Sequence, residues 1–219
     1  MEIYRHRSGL IKTIQAIGKG KLTIGFIGGS ITDTRDAVRW PEYVIGWFVE
    51  RFPDITICVE NAAIGATGSD LAVFRAQRDL IDRECDLVFI EYAVNDNDVE
   101  ADRRMRTREG LIRKLLRYGA CDLVLVYTYC QDMYQDMMQG VVPPSVGDFE
   151  RLGEHYGIGS VWMGLYALEE VKKGRMRWEE WLPDGLHPDS RGSLSYAQSV
   201  ISYLEEELLR NPATGGIFV

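Results

Sequence analysis

Four short segments, far apart in the chain, carry the side chains that acyl transfer needs. "GFIGGSITD" (25–33) ends an apolar run in Gly28, Gly29 and Ser30, and "ENAAIGATGSD" (60–70) supplies Asn61, Gly65, Ala66, Thr67 and Gly68. "AVNDND" (93–98) supplies Asn95, and "WLPDGLHPDS" (181–190) supplies Asp184 and His187. A serine hydroxyl that attacks a carbonyl needs a base to take its proton. The oxyanion that forms needs N–H donors aimed at it. The base needs a carboxylate to fix its tautomer. The chain has three histidines, His6, His155 and His187. His6 lies in a polar N-terminal stretch and His155 in a helical pattern. Only His187 has an acid three residues before it in a Gly/Pro-rich loop. Each residue also has a structural role open to it. Ser30 can cap a helix, Gly65 and Gly68 can serve turns, Asn95 can close an Asx-turn, and Asp184 with His187 can form a turn.

What positions these segments is an alternation of apolar runs and helical patterns. Strands are expected at 22–28, 55–62, 86–93, 122–129 and 159–164, because these runs are apolar and rich in Ile, Val and Phe. Helices are expected at 41–52, 69–84 (with Ser69 as N-cap), 108–119 (closed by Gly119), 146–157 and 192–210. Strands that are apolar throughout are buried on both faces, and their alternation with helices makes the sheet parallel. The fold expected is a three-layer α/β/α sandwich around a five-stranded parallel, flavodoxin-like sheet, as one domain over 1–219. Ligands of such sheets bind beyond the carboxyl ends of the strands, and three of the four segments follow a strand.

Composition narrows the partners. A length of 219 residues supports a substantial core, and the net charge of −8 argues against nucleic acid and against an anionic membrane surface. The four cysteines, Cys58, Cys85, Cys121 and Cys130, have no CxxC or metal-ligand spacing and read as reduced thiols. The N-terminal residues contain no long apolar stretch, and no apolar run reaches the ~18 residues of a membrane span, so a cytoplasmic location is expected. "RRMRTREGLIRK" (103–114) reads as the solvated face of a helix.

Together the four segments resemble the SGNH hydrolases, the GDSL-type esterases and lipases, which carry Ser, Gly, Asn and His in separated blocks. "GGSIT" is similar to the first block, "NAAIGATGS" to the second, "AVND" to the third and "DGLHPD" to the last, in the family's order. The resemblance implies a two-step ester hydrolysis with Ser30 as nucleophile, His187 as base and Asp184 as its orienter. It also implies an oxyanion hole from Ser30, Gly65 or Ala66, and Asn95, with no metal and no cofactor. There are three departures. Gly29 stands where the family's name has Asp, and Ala93 where Gly is usual. Ala66 takes the place of the oxyanion glycine five residues after Asn61. An alanine can offer its N–H there if its φ is negative.

The substrate expected is a small-molecule ester of a short acyl group, with an acetyl group on a carbohydrate as the favoured case. Thr32, Trp178 and Trp181 are candidates for the pocket. The long segment 130–148, with Met133, Tyr134, Met137 and Met138, is either a lid or a helix packed on the body or on a second copy of the chain. Three other readings are weighed: an acyltransferase on the same fold, a non-catalytic binding module, and a phosphate-binding protein. The last is disfavoured because "GFIGGSIT" is neither G-x-G-x-x-G nor G-x-x-x-x-G-K-[ST].

Overall fold

A computed structural model describes residues 1–210. Its centre is β2 (Lys21–Gly28), in which every residue after Lys21 is buried. On one side β2 pairs in parallel with β3 (Thr56–Asn61), and on the other with β4 (Leu87–Glu91). The sheet continues in parallel through β5 (Asp122–Val126) to β6 (Gly159–Val161). The five strands therefore lie in the order β3-β2-β4-β5-β6, which is the flavodoxin-like order. A sixth strand corrects the expected count. β1 (Tyr4–Arg5) adds antiparallel to the edge of β6, with Tyr4 opposite Val161. Two residues are too few to leave a periodic signal.

Right-handed crossovers dictate where the helices go. From β2 the chain moves to one edge through α2 (Trp40–Arg51), then returns across the sheet through α3 (Ser69–Ala76). It goes on through α4 (Ala101–Lys114) and, after the short α5 (Tyr134–Met138), through α6 (Pro144–Tyr156). Helices α3, α4 and α6 thus share one face and pack α3 on α4 and α4 on α6. On the other face α2 packs on α9 (Ser190–Glu205), which also carries α7 (Met163–Lys172) and α8 (Trp178–Trp181). The result is a three-layer α/β/α sandwich, like the solved structures described below. No helix among the described residues is long and apolar enough to cross a membrane.

Local chemistry moved several expected boundaries. A helix at 11–18 (α1) and α7 were not expected, and α7 begins where a strand to 164 was expected. Helix α4 starts seven residues earlier than its apolar pattern indicates, because the Glu100 carboxylate accepts the amides of Asp102 and Arg103 and caps it. Ser69 is the first residue of α3 rather than its cap; its N–H goes to Asp96 Oδ1 (3.0 Å) and its hydroxyl to Thr107. After α4, a π-turn through Gly119 ends on Ala120, which holds the left-handed position at φ +50°. Segment 130–148 packs on the body. Met133 and Met137 are each 1% exposed, so two of its methionines belong to the core.

The basic run in α4 is also not wholly a solvated face. Arg104 and Arg108 are buried. The Arg108 guanidinium donates to Asp96 Oδ2 (2.9 Å), to the carbonyls of Tyr92 (2.9 Å) and Ser145 (2.6 Å), and lies 3.9 Å over the Phe149 ring. Ser145 in turn donates to the Ala93 carbonyl (2.6 Å). These bonds tie down the backbone on which Asn95 sits. Removing one partner of a buried pair leaves an uncompensated charge. Arg108→Met is expected to lower the unfolding free energy by about 3–5 kcal/mol, measured by urea denaturation.

Candidate active site

The chain leaves β2 for one edge of the sheet and later builds the other side from β4, so the sheet has its topological switch point at the carboxyl ends of these neighbours. Ser30 follows β2 and Asn95 follows β4, so the nucleophile candidate and the carboxamide meet at that crevice. The sharp turn after β2 is closed by the Thr32 and Asp33 amides, both donating to the Gly29 carbonyl (3.1 and 3.0 Å). Gly29 is required by proximity. A Cβ there would lie 2.1 Å from Asn95 Oδ1, so the Asn95 carboxamide is laid against bare backbone.

His187 arrives from the opposite end of the sequence. Its loop runs between α8 and α9 and is tied at Pro188, whose carbonyl accepts from Arg39 (2.8 Å), and at Asp189, which caps α9. Gly185 turns the loop at φ +81°, a conformation open to glycine at no steric cost. This brings His187 Nε2 2.8 Å from Ser30 Oγ and His187 Nδ1 2.8 Å from Asp184 Oδ2. Asp184 Oδ1 accepts the amides of His187 (2.6 Å) and Leu186 (2.9 Å), so one carboxylate fixes both the loop and the ring. The largest single effect on the Asp184 carboxyl is desolvation, which raises it. Bonds from the His187 amide, the His187 ring and the Leu186 amide outweigh that effect and hold the group down at about 2.

The second segment closes the crevice beside Ser30. A Cβ on Gly65 would lie 3.6 Å from Ser30 Cβ. The Gly65 N–H is engaged, donating to Asp33 Oδ2 at 3.2 Å. Asp33 is also clamped by Arg35, and that contact, with burial opposing, brings its carboxyl down to about 2. The negative φ set as the condition for an Ala66 donor is not met. Ala66 sits at φ +57°, the left-handed region a glycine would enter freely. Among the described residues, neither the Ser30 N–H nor the Ala66 N–H is paired with a protein acceptor. Asn61 links the two loops through its Nδ2, which donates to the Thr32 carbonyl (3.0 Å).

The three pocket candidates separate. Thr32 and Trp181 are 0% exposed and belong to the interior. Thr32 is turned inward by Glu91 and Trp40, and Trp181 is packed among Tyr129, Trp178 and Tyr196. Trp178 does line a cavity, of about 210 Å³, with Tyr129, Gln131 and Tyr134. The cavity borders the His187 loop, since a Cβ on Gly185 would lie 3.0 Å from Gln131 Oε1. A larger groove, of about 600 Å³, runs along α4 past Arg106 and Tyr118, and no segment of the site contributes to it. Among the described residues no cluster of three or more His, Cys, Asp or Glu is placed to hold a metal ion. The four thiols are unpaired, and burial pushes those of Cys85 and Cys121 up to about 12. Sequence reasoning missed Asp33 and Glu91; for Glu91 the signal is a lone acid closing the apolar strand "LVFIE".

Solved structures of similar fold include esterases. One is a two-domain esterase (CEX) active on acetylated mannans, solved with mannopentaose. It is 30% identical, with a TM-score of 0.78 over 91% of this chain, which spans 54% of that protein. Another is a catalytic mutant of Axe2, an acetylxylan esterase from Geobacillus stearothermophilus. It is 20% identical, with a TM-score of 0.71, 84% of this chain covered and 94% of that one. No family model matches the chain and no curated protein matches it.

The direction of the Asp184 shift fixes an acid limb. A carboxyl held below its ordinary 3.8 contributes stability that is full above pH ~4 and is lost as pH falls through about 2. Thermal unfolding of wild type and Asp184→Asn should therefore differ above pH ~4, and the difference should close toward pH ~2.

Proposed function

We propose that the protein is a serine esterase that removes short acyl groups, acetyl foremost, from the hydroxyls of a carbohydrate. The observation that carries this reading is the continuous hydrogen-bonded chain from Ser30 Oγ through the His187 ring to Asp184, set at the switch point of the sheet. In the first step His187 Nε2 takes the Ser30 proton as Oγ attacks the ester carbonyl, while Asp184 holds Nδ1–H and stabilises the imidazolium. The tetrahedral oxyanion is received by the N–H groups of Ser30 and Ala66 and by the Asn95 side chain; among the described residues Ala66 has an unpaired N–H despite its left-handed φ, which costs strain rather than the donor. Gly65 is the weaker candidate, because its N–H already serves Asp33. Each such donor is worth about 10²–10³ in rate. His187 then protonates the departing alcohol, and an acyl-serine remains. Water then attacks the acyl carbon as it gives a proton to His187, and the tetrahedral adduct collapses, His187 returning that proton to Ser30 Oγ as the acid leaves.

The alcohol leaves on the His187 side, and that is where the aromatic cavity lies. Trp178 and Tyr134 meet edge to face at 5.9 Å, and Gln131 offers a carboxamide between them and the loop. Aromatic faces stack on the C–H faces of a sugar ring and a carboxamide bonds its hydroxyls. At about 210 Å³ the cavity is smaller than the ~300–1,000 Å³ of pockets that enclose drug-sized ligands, which suits one ring. The fold neighbours named for acetylated mannans and acetylxylan support this substrate class.

A substrate panel of acetylated oligosaccharides and p-nitrophenyl acetate tests both parts. Ser30→Ala should remove hydrolysis of every ester, by at least about 10³-fold. Trp178→Ala should lower kcat/KM for the oligosaccharides about tenfold more than for the aryl ester, a loss of ~1.4 kcal/mol confined to the sugar. Full activity in Ser30→Ala contradicts the esterase mechanism, and equal losses on both substrates contradict the sugar site.

A further inference from the structure

Directly beneath the nucleophile turn lies a carboxyl group that the mechanism above does not use. Glu91 ends β4, is 0% exposed, and reaches across to three other pieces of backbone and side chain. Its Oε2 accepts the Gly29 N–H (3.3 Å) and the Thr32 hydroxyl (3.1 Å), and its Oε1 lies 2.7 Å from the Thr128 hydroxyl, just past β5. The Thr32 hydroxyl is in turn held by Trp40 Nε1 (3.1 Å). Trp40 stands edge-on to the stacked pair Phe26–Phe89 from β2 and β4.

We propose that Glu91 is the positioning residue of the nucleophile turn, fixing Gly29 from below so that the Ser30 N–H and Oγ face the substrate. This rests on the reading of Ser30 as nucleophile. The Gly29 carbonyl is already held by the Thr32 and Asp33 amides. The peptide plane that joins this carbonyl to the Ser30 nitrogen is rigid, and its N–H points opposite the C=O. Anchoring the Gly29 N–H on Glu91 closes the remaining freedom of the turn. The direction of one oxyanion donor and of the attacking oxygen is then set by a strand two positions away from β3 in the sheet.

Glu91 does this without a counter-charge, in a place where burial favours the neutral acid. Its hydrogen-bond partners among the described residues are one amide and two hydroxyls, and no ion pair compensates it. Burial is the largest effect on its carboxyl and pushes it up; the bonds from Thr128, Gly29 and Thr32 pull the other way, and the negative charge of Asp96 adds to the upward push. Oε2 accepts from Gly29 and Thr32, and Oε1 accepts from the Thr128 hydroxyl. A carboxylate in the same place would set a negative charge under a developing oxyanion, which the site has to stabilise.

The test compares Glu91→Gln with Glu91→Asp in the full chain, on p-nitrophenyl acetate, with thermal unfolding recorded for each. Gln keeps the length and the oxygen that accepts from Gly29 and Thr32, and its amide donates to the Thr128 hydroxyl instead of accepting from it. Asp keeps the acid but is one methylene short of Gly29. Glu91→Gln should keep kcat within about threefold of wild type, whereas Glu91→Asp should lose about 10–100-fold in kcat with KM unchanged, as expected for a misplaced reacting group. Should Glu91→Asp fail to fold, Thr128→Val replaces it, with an expected loss of about 3–10-fold in kcat at constant KM. A Gln variant that is unfolded or as slow as Asp overturns the inference, and so does wild-type kcat in Asp or, where it is used, in Thr128→Val. Labelling of wild type by a fluorophosphonate separates the two levels. No adduct at Ser30 overturns the nucleophile assignment and this inference with it; an adduct at Ser30 with a fully active Asp variant overturns this inference alone.

Discussion

The hydrogen bond from Ser30 Oγ to His187 Nε2 joins residues 157 positions apart, and no local element can make it. It needs a turn that ends β2 abruptly, a loop that ends before α9, and a sheet stiff enough to hold both ends in place. The sheet supplies that stiffness through strands buried on both faces, with Phe26, Phe89 and Trp40 interlocked under the turn. Each fully buried aromatic of this kind is worth about 1.5–3 kcal/mol in transfer free energy. The same packing that stabilises the fold therefore sets the position of the serine.

Around that contact the polar groups fall into two tiers. Ser30, His187, Asp184, Ala66 and Asn95 face the crevice. Behind them Glu91, Asp96 and Arg108 are buried and Asp33 is partly so, and each holds backbone in the segments that carry or flank those residues. Asp33 holds the Gly65 amide, Glu91 the Gly29 amide, and Asp96 the Ser69 amide that opens α3. Arg108 and Ser145 hold the carbonyls of Tyr92 and Ala93, just before Asn95. Loops that could drift independently are in this way referenced to one another through the sheet. Ala66 shows that the geometry is imposed rather than locally preferred, since an alanine at φ +57° is ~1–2 kcal/mol uphill of its relaxed conformation.

Much of this was legible in the sequence, and the parts that were not share a cause. Strands β2, β4 and β5 could be read because both faces are buried and the residues are almost all apolar, whereas β3, at the sheet edge, is only partly buried and mixes apolar with polar residues. Ser30, Asn95, Asp184 and His187 could be singled out because the types are chemically distinctive and the histidines few; the structure brings Ser30, Asp184 and His187 within hydrogen-bond reach and lays Asn95 against Gly29. What escaped depends on partners remote in sequence. Arg104 and Arg108 look solvated in a basic run, yet their acids lie 44 and 12 residues away. Thr32 and Trp181 sit beside the site in sequence and face away from it in space. Glu91 gives no motif, because its role is defined by three groups from two other segments. The proposed preference for Ala66 over Gly65 rests on Asp33, which the pattern of glycines does not register.

The central claim is that Ser30, activated by His187 and Asp184, carries the acyl group during turnover. Acid quenching of the enzyme during hydrolysis of an isotopically labelled acetyl ester, followed by peptide mass mapping, tests it directly. The account predicts one labelled acetyl group on the peptide containing Ser30, absent in Ser30→Ala. Label on a different residue, or steady turnover in Ser30→Ala, would contradict it.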